Sequence, residues 1–145
     1  MACTLKNITA VEPSNIEIEL AEHLHAGFPS PAADFTERID ISSVLIRHQE
    51  TTFFARIEGD SMIEAGIFSG DLVVIDRSLE VQNGDYVAAY IDGEFAIKEY
   101  QLDPSGNCAW LIPHNPKYEN IRVTEDNEFI IWGVVTHTIH QVKTN

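Results

Sequence analysis

Three short stretches of this 145-residue chain hold residues whose types and spacing can do chemistry together. Ser61 stands in Gly59-Asp60-Ser61-Met62, a small-residue turn that follows an apolar run ending at Glu58. Lys98 lies 37 residues further on, in Glu94-Phe95-Ala96-Ile97-Lys98-Glu99-Tyr100. Ala26-Gly27 lies on the other side, with Gly27 34 residues before Ser61. A serine hydroxyl is a weak nucleophile until a base takes its proton, and a neutral lysine amine is one recognised base. A bond between small residues enters an extended-chain cleft without clashes, and Leu24 can fill an apolar pocket two residues before Ala26. These are the parts of a self-cleaving serine peptidase with a Ser-Lys dyad.

Each part also has a plain structural reading. A lone Gly-Asp-Ser is a turn with a capping serine. A strand lysine is usually a solvated edge charge. Ala-Gly alone is a loop. The lysine must also be neutral to act as a base. At its ordinary pKa of ~10.4, only about one in 2,500 is neutral at pH 7, and bringing it to ~7 takes roughly 4.6 kcal/mol. Burial can impose a shift of that size. The strand run places Glu94, Ala96 and Lys98 on one face and Phe95, Ile97 and Glu99 on the other. Small neighbours such as Ala96 and Ala88 would let a partner approach the amine. A turn starting at Asp60 and stopping at Gly66 would put Ser61 among unpaired backbone N–H groups, which can bind an oxyanion.

The elements that must position these residues are mostly short β runs. Strands are predicted near Phe53–Glu58, Leu72–Asp76, Tyr86–Ile91, Glu94–Glu99, Ala109–Ile112 and Phe129–Thr136. Asp92-Gly93 marks a type I′ hairpin, and Asn83-Gly84 and Pro104-Ser105-Gly106-Asn107 mark turns. Ahead of them, Ser30-Pro31 is a helix start, which predicts a short helix over 31–38 and a second over 41–47. Asn15-Ile16-Glu17-Ile18-Glu19-Leu20 alternates strictly, as a half-buried or edge strand does. The expected fold is mainly β (α+β): a compact domain over 27–145, two short helices in front of it, and a flexible N-terminal arm over 1–26. The arm is too short to form a core and must lie on the body, on another subunit or in solvent.

Charge and composition narrow the function classes. The net charge is −14, with −3 in residues 1–26 and −11 in the rest. DNA would repel such a surface, so direct DNA binding is not expected and a basic partner would have to bring the protein to it. Two cysteines, Cys3 and Cys108, make no disulfide framework, and no apolar run reaches the ~20 residues of a membrane span. A cytoplasmic setting without membrane contact is the expectation. His137 and His140 are too isolated from cysteines to argue for a metal, and no Gly-rich phosphate loop is present, so no cofactor is expected. No histidine stands beside Ser61, which leaves a Ser-His-Asp triad without support.

The quoted motifs, together with Phe28-Pro29-Ser30-Pro31-Ala32-Ala33-Asp34, Gly70-Asp71-Leu72, Leu111-Ile112-Pro113-His114-Asn115 and Gly133-Val134-Val135, occur in an order that resembles a known family. It is the UmuD-like branch of the LexA-like S24 peptidases, the self-processing accessory subunits of error-prone DNA polymerase V. The resemblance covers about residues 24–140. It implies Ser61 as nucleophile, Lys98 as base, the Ser61 and Met62 backbone N–H groups as oxyanion donors, and cleavage between Ala26 and Gly27. It also implies a homodimer, stimulation by a RecA–single-stranded DNA filament after DNA damage (the SOS response), and a UmuC-type polymerase subunit as partner in translesion synthesis. Glu99 departs from the basic residue expected after the lysine.

Three rivals stand against this reading. A LexA-type repressor needs a DNA-binding domain ahead of the cleavage site, which an arm of 26 residues with net charge −3 does not supply. A signal peptidase shares the dyad but needs a membrane anchor. A non-catalytic dimeric adaptor would use Ser61 and Lys98 only structurally.

Overall fold

Alternating apolar and polar residues give a strand one face to bury, and this chain spends most of its length satisfying that demand. The computed structural model describes residues 4–10, 17–21 and 35–144. In chain order these form β1 (Thr4–Ala10), β2 (Glu17–Ala21), β3 (Phe35–Asp40), α1 (Ile41–Leu45), β4 (Thr52–Glu58), β5 (Leu72–Asp76), β6 (Tyr86–Ile91), β7 (Glu94–Leu102), β8 (Ala109–Ile112), β9 (Ile121–Val123) and β10 (Phe129–Ile139). The main sheet has 8 strands in the order β1-β4-β5-β10-β6-β7-β8-β9. Its pairings are antiparallel. Thr4 pairs with both Glu58 on β4 and Ala96 on β7, so β1 closes β4, β5, β10, β6 and β7 into a ring. The remaining strands β8 and β9 extend the sheet beyond β7, and β2 and β3 form a separate ribbon.

The mainly β expectation holds. The six runs expected in the body are strands β4, β5, β6, β7, β8 and β10, with β7 and β10 extending further than expected. At the hairpin Asp92 and Gly93 both have positive φ, 47° and 93°, and Ile91 pairs with Glu94 across them. That is the left-handed pair a type I′ turn requires.

The two front helices fare differently. The second is α1, capped by the Asp40 carboxylate accepting from the Ser42 N–H at 3.0 Å. The first does not form over its described part: 35–38 belong to β3, whose register places Ile18 against Ile39 and Glu19 against Arg38. An isolated helix of some eight residues is marginal in water, and pairing with β2 supplies backbone hydrogen bonds it could not match. Residues 31–34 and the Ala26-Gly27 bond lie outside the described residues. Strands β1 and β9 were not anticipated at all.

Two buried clusters hold the sheet. One gathers Ile57, Met62, Ile67, Val73, Ile75 and Ile97, with Leu5 of β1 packed against it. The other gathers Val87, Ala89, Ile91, Leu111, Val123 and Val134. The long strand β10 shifts register against β6 between Ile131 and Gly133. A Cβ on Gly133 would lie 2.5 Å from Ile75 Cγ2 and 3.3 Å from the Asp76 carbonyl oxygen, so only glycine fits this crossing. Gly133→Ala is expected to lower unfolding stability by about 1–3 kcal/mol, the usual penalty for overpacking, as read by denaturant titration.

A polar knot ties the segment after α1 to this sheet. Buried Asp76 meets His48 Nδ1 at 2.7 Å and accepts from the hydroxyls of Thr51 (2.9 Å) and Ser78 (2.7 Å). Burial alone would raise the Asp76 carboxyl, but hydrogen bonds from His48, Ser78 and Thr51 outweigh it and hold the pKa at about 2, below the ordinary 3.8. A carboxyl lowered on folding stabilises the fold above its unfolded pKa and loses that contribution as pH falls through the folded value. Stability is therefore expected to drop by about 2 kcal/mol from this group between pH ~4 and ~2, and Asp76→Asn should remove that part of the slope in acid unfolding curves.

Candidate active site

Ser61 is delivered by the end of β4. Ser61 stands three residues past Glu58, and two residues further on the chain enters a short 3-10 turn over Ile63–Ala65, which stops at Gly66 in the left-handed region, φ 81°. The turn stops where the sequence suggests, at the residue best able to adopt positive φ. Met62, not Ser61, occupies the N-cap position of that turn, and it is fully buried among Ile57, Ile67 and Ile97. Its packing pins the residue next to the serine hydroxyl.

Lys98 is delivered by β7, which is paired on one side with β6 and on the other with β8. It is thus an interior-strand lysine rather than a solvated edge charge, with a relative exposure of 2%; Ser61 is at 0%. Lys98 stands opposite Val87, and Ala96 opposite Ala89. Residues directly opposite share a face of the sheet. Ala89 and Ala96 are therefore small residues on the Lys98 face. Ala88, expected with Ala96 as a small neighbour of the amine, stands opposite Ile97 on the reverse side.

The two side chains meet. Lys98 Nζ lies 2.7 Å from Ser61 Oγ and also reaches the Ile97 carbonyl oxygen at 3.1 Å. Among the described residues no buried side-chain nitrogen or oxygen lacks a partner. A polar pair this deeply removed from water is tolerable because its members bond each other and the backbone.

The segment after β8 holds the serine loop from the other side. The His114 N–H donates to the Ser61 carbonyl oxygen at 2.8 Å, and the His114 carbonyl oxygen accepts from the Glu64 N–H at 2.9 Å. The Asn115 side-chain amide donates to the Asp60 carbonyl oxygen at 2.9 Å. The Tyr118 hydroxyl donates to Asp60 Oδ1 at 2.5 Å. His114 Nε2 meets Glu99 Oε1 at 2.9 Å, which anchors this segment to the residue after Lys98. None of Glu99, His114, Asn115 and Tyr118 was given a role from sequence. The run Pro113-His114-Asn115 directly after an apolar strand is the sign that points to four of these contacts.

The other sequence candidates separate from this site. His140 Nδ1 meets buried Asp71 at 2.6 Å, and His137 Nδ1 meets its neighbour Thr136 at 2.9 Å. Among the described residues no group of three or more His, Cys, Asp or Glu could hold a metal ion, and no helix is long and apolar enough to cross a membrane. The backbone N–H groups of Ser61 and Met62 lie in the turn between β4 and Ile63–Ala65, on the chain segment that carries the hydroxyl.

A hydroxyl and an amine at hydrogen-bond distance, buried, with each partner fixed by a different strand, is an arrangement able to generate a nucleophile. Comparison with known proteins points the same way. Residues 19–136 match the family model described as Peptidase S24-like. Protein SamA of Salmonella typhimurium is 45% identical over 124 residues, covering 85% of this chain and 84% of its own. Protein ImpA of Escherichia coli is 41% identical over 124 residues, covering 85% and 83%. Protein MucA of Escherichia coli is 38% identical over 120 residues, covering 81% and 80%. A family match over most of the chain, with relatives this similar across most of their length, establishes that the chain belongs to the S24-like peptidase family.

Proposed function

We propose that the protein is a self-cleaving serine peptidase that cuts its own chain between Ala26 and Gly27, with Ser61 as nucleophile and Lys98 as base. The observation that carries this reading is the 2.7 Å approach of Lys98 Nζ to Ser61 Oγ in a buried site. Burial disfavours an ammonium relative to a neutral amine, and the neutral amine is the form a base needs.

The steps follow from that geometry. Neutral Lys98 accepts the Ser61 hydroxyl proton as Oγ attacks the Ala26 carbonyl carbon. The negative charge that develops on the carbonyl oxygen is met by the Ser61 and Met62 backbone N–H groups. Lys98, now an ammonium, returns the proton to the Gly27 nitrogen as the C–N bond breaks. An ester between Ser61 and Ala26 remains. Water, deprotonated by Lys98, hydrolyses it and frees the serine. The bonds from His114 and Asn115 to the Ser61 loop hold the nucleophile in register through both halves.

The wider reading rests on the resemblance in motif order and on family membership. The shortened protein acts as a homodimer and as accessory subunit of a UmuC-type translesion polymerase. Cleavage is stimulated by a RecA–single-stranded DNA filament as part of the SOS response. The cut removes residues 1–26 and their charge of −3 from a chain of −14. An acidic body of this kind reaches DNA through its partners rather than by its own field.

Ser61→Ala and Lys98→Ala are each expected to slow cleavage by about 10²–10⁴-fold while leaving the fold intact. Purified protein incubated with RecA, single-stranded DNA and ATP, with fragments mapped by mass and folding checked by thermal melting, tests this. An undiminished cut in either variant, or a cut elsewhere than Ala26-Gly27, would sink the assignment. Unassisted cleavage should accelerate with pH by about tenfold per unit until the lysine pKa is passed, because the fraction of neutral amine grows at that rate. A rate flat from neutral to alkaline pH would exclude Lys98 as the base.

A further inference from the structure

The bond proposed to break lies between β2 and β3, which pair with each other as a separate ribbon, whereas β1 is the arm strand that enters the main sheet. Residues 4–10 pair with β4 through Thr4–Glu58, Leu5–Ile57, Lys6–Arg56, Thr9–Phe54 and Ala10–Phe53. Thr4 pairs with Ala96 of β7 as well. Leu5 packs against the buried cluster that contains Ile57, Met62 and Ile97. Each of these contacts joins a residue before the Ala26-Gly27 bond to one after it, and none is made by the residues of that bond. Cutting the bond would remove the covalent link without removing a partner from the ladder, the ring closure or the Leu5 contact. Without β1, the outer edge of β4 would present unpaired N–H and C=O groups along Phe53–Glu58, the template that another extended segment can occupy.

We propose that the slot between β4 and β7 is a strand-binding site, and that residues 4–10 remain in it as a non-covalently bound peptide after the chain is cut. The arm is then a retained ligand of the body, and its departure is a second event, separate from peptide-bond hydrolysis. The slot ends beside the active site: Thr4 pairs with Glu58, three residues before Ser61, and with Ala96, two residues before Lys98. Occupancy by β1 therefore joins the strand that ends before Ser61 to the strand that carries Lys98.

This proposal rests on the cleavage reading for its biological setting, so its test supplies the cut independently. In full-length Ser61→Ala protein, a recognition sequence for a specific endoprotease is placed between residues 22 and 34 and cut to completion. The arm fragment is expected to stay with the body on size exclusion and in native mass spectra. Amide protection along Thr52–Glu58 in hydrogen exchange should persist after the cut. Leu5→Asp in the same chain should lower the retained fraction by about tenfold or more, since it removes a partly buried leucine contact with the core cluster. Prompt separation of the unmodified arm, or loss of β4 protection on cutting, would overturn the proposal. If wild-type protein never cuts itself but the externally cut arm stays bound, the cleavage reading fails and the strand-binding site stands.

Discussion

The contact between Lys98 Nζ and Ser61 Oγ sets the terms for the surrounding structure. A lysine amine and a serine hydroxyl removed from water lose hydrogen bonds that the protein must replace. The replacement is local: each bonds the other, and Nζ adds the Ile97 carbonyl oxygen of its own strand. This requires a strand buried on both faces at the lysine, and β7 is such a strand, with Ala96, Ile97 and Lys98 all shielded. It also requires a second strand ending within reach, and β4 ends three residues before Ser61. Ring closure brings these two strands, far apart along the sheet order, to either side of β1.

The serine loop depends on contacts of a different kind. Short turns have few internal bonds, and Ile63–Ala65 is only one turn long. Its rigidity comes from outside, through the backbone bonds of His114 to Ser61 and Glu64 and through the side chains of Asn115 and Tyr118 on Asp60. That clamp follows β8, which is itself paired with β7. The strand that carries the lysine thus also organises the segment that holds the serine. The Glu99–His114 contact makes this coupling direct. Glu99, a departure from the basic residue that the family resemblance suggested, serves here as the acceptor that fixes the clamp.

The arm shares in the body's architecture. Leu5 belongs with the core residues it packs against, and β1 completes the ring. Strand pairing and apolar burial hold Thr4–Ala10 to the strands on either side of it, and under the proposed cut they would govern how the two pieces separate.

Much of the fold was legible in local pattern. The alternating runs became β4, β5, β6, β7, β8 and β10, Asp92-Gly93 turned as its two left-handed residues dictate, and Gly66 stopped the turn after Ser61. These are short-range preferences, written in residue type and spacing. The misreadings arose where pairing with distant strands outweighed local signals. Ser30-Pro31 announces a helix, yet Phe35–Asp40 pairs with β2. Thr4–Ala10 and Ile121–Val123 carry weak local signals and became strands only because open ladder edges were available on β4 and β8. The Ser61–Lys98 pair divides along the same line. The sequence by itself determined the two residue types, the turn after β4 that carries Ser61, the strand that carries Lys98 and the small-residue pair Ala26-Gly27. Only the tertiary structure decided that the amine is buried, that it lies 2.7 Å from the hydroxyl, that Ala89 rather than Ala88 shares its face, and that Asn115 and Tyr118 hold the loop. Those outcomes depend on sheet register and ring closure, which set distances between residues tens of positions apart and which no local pattern records.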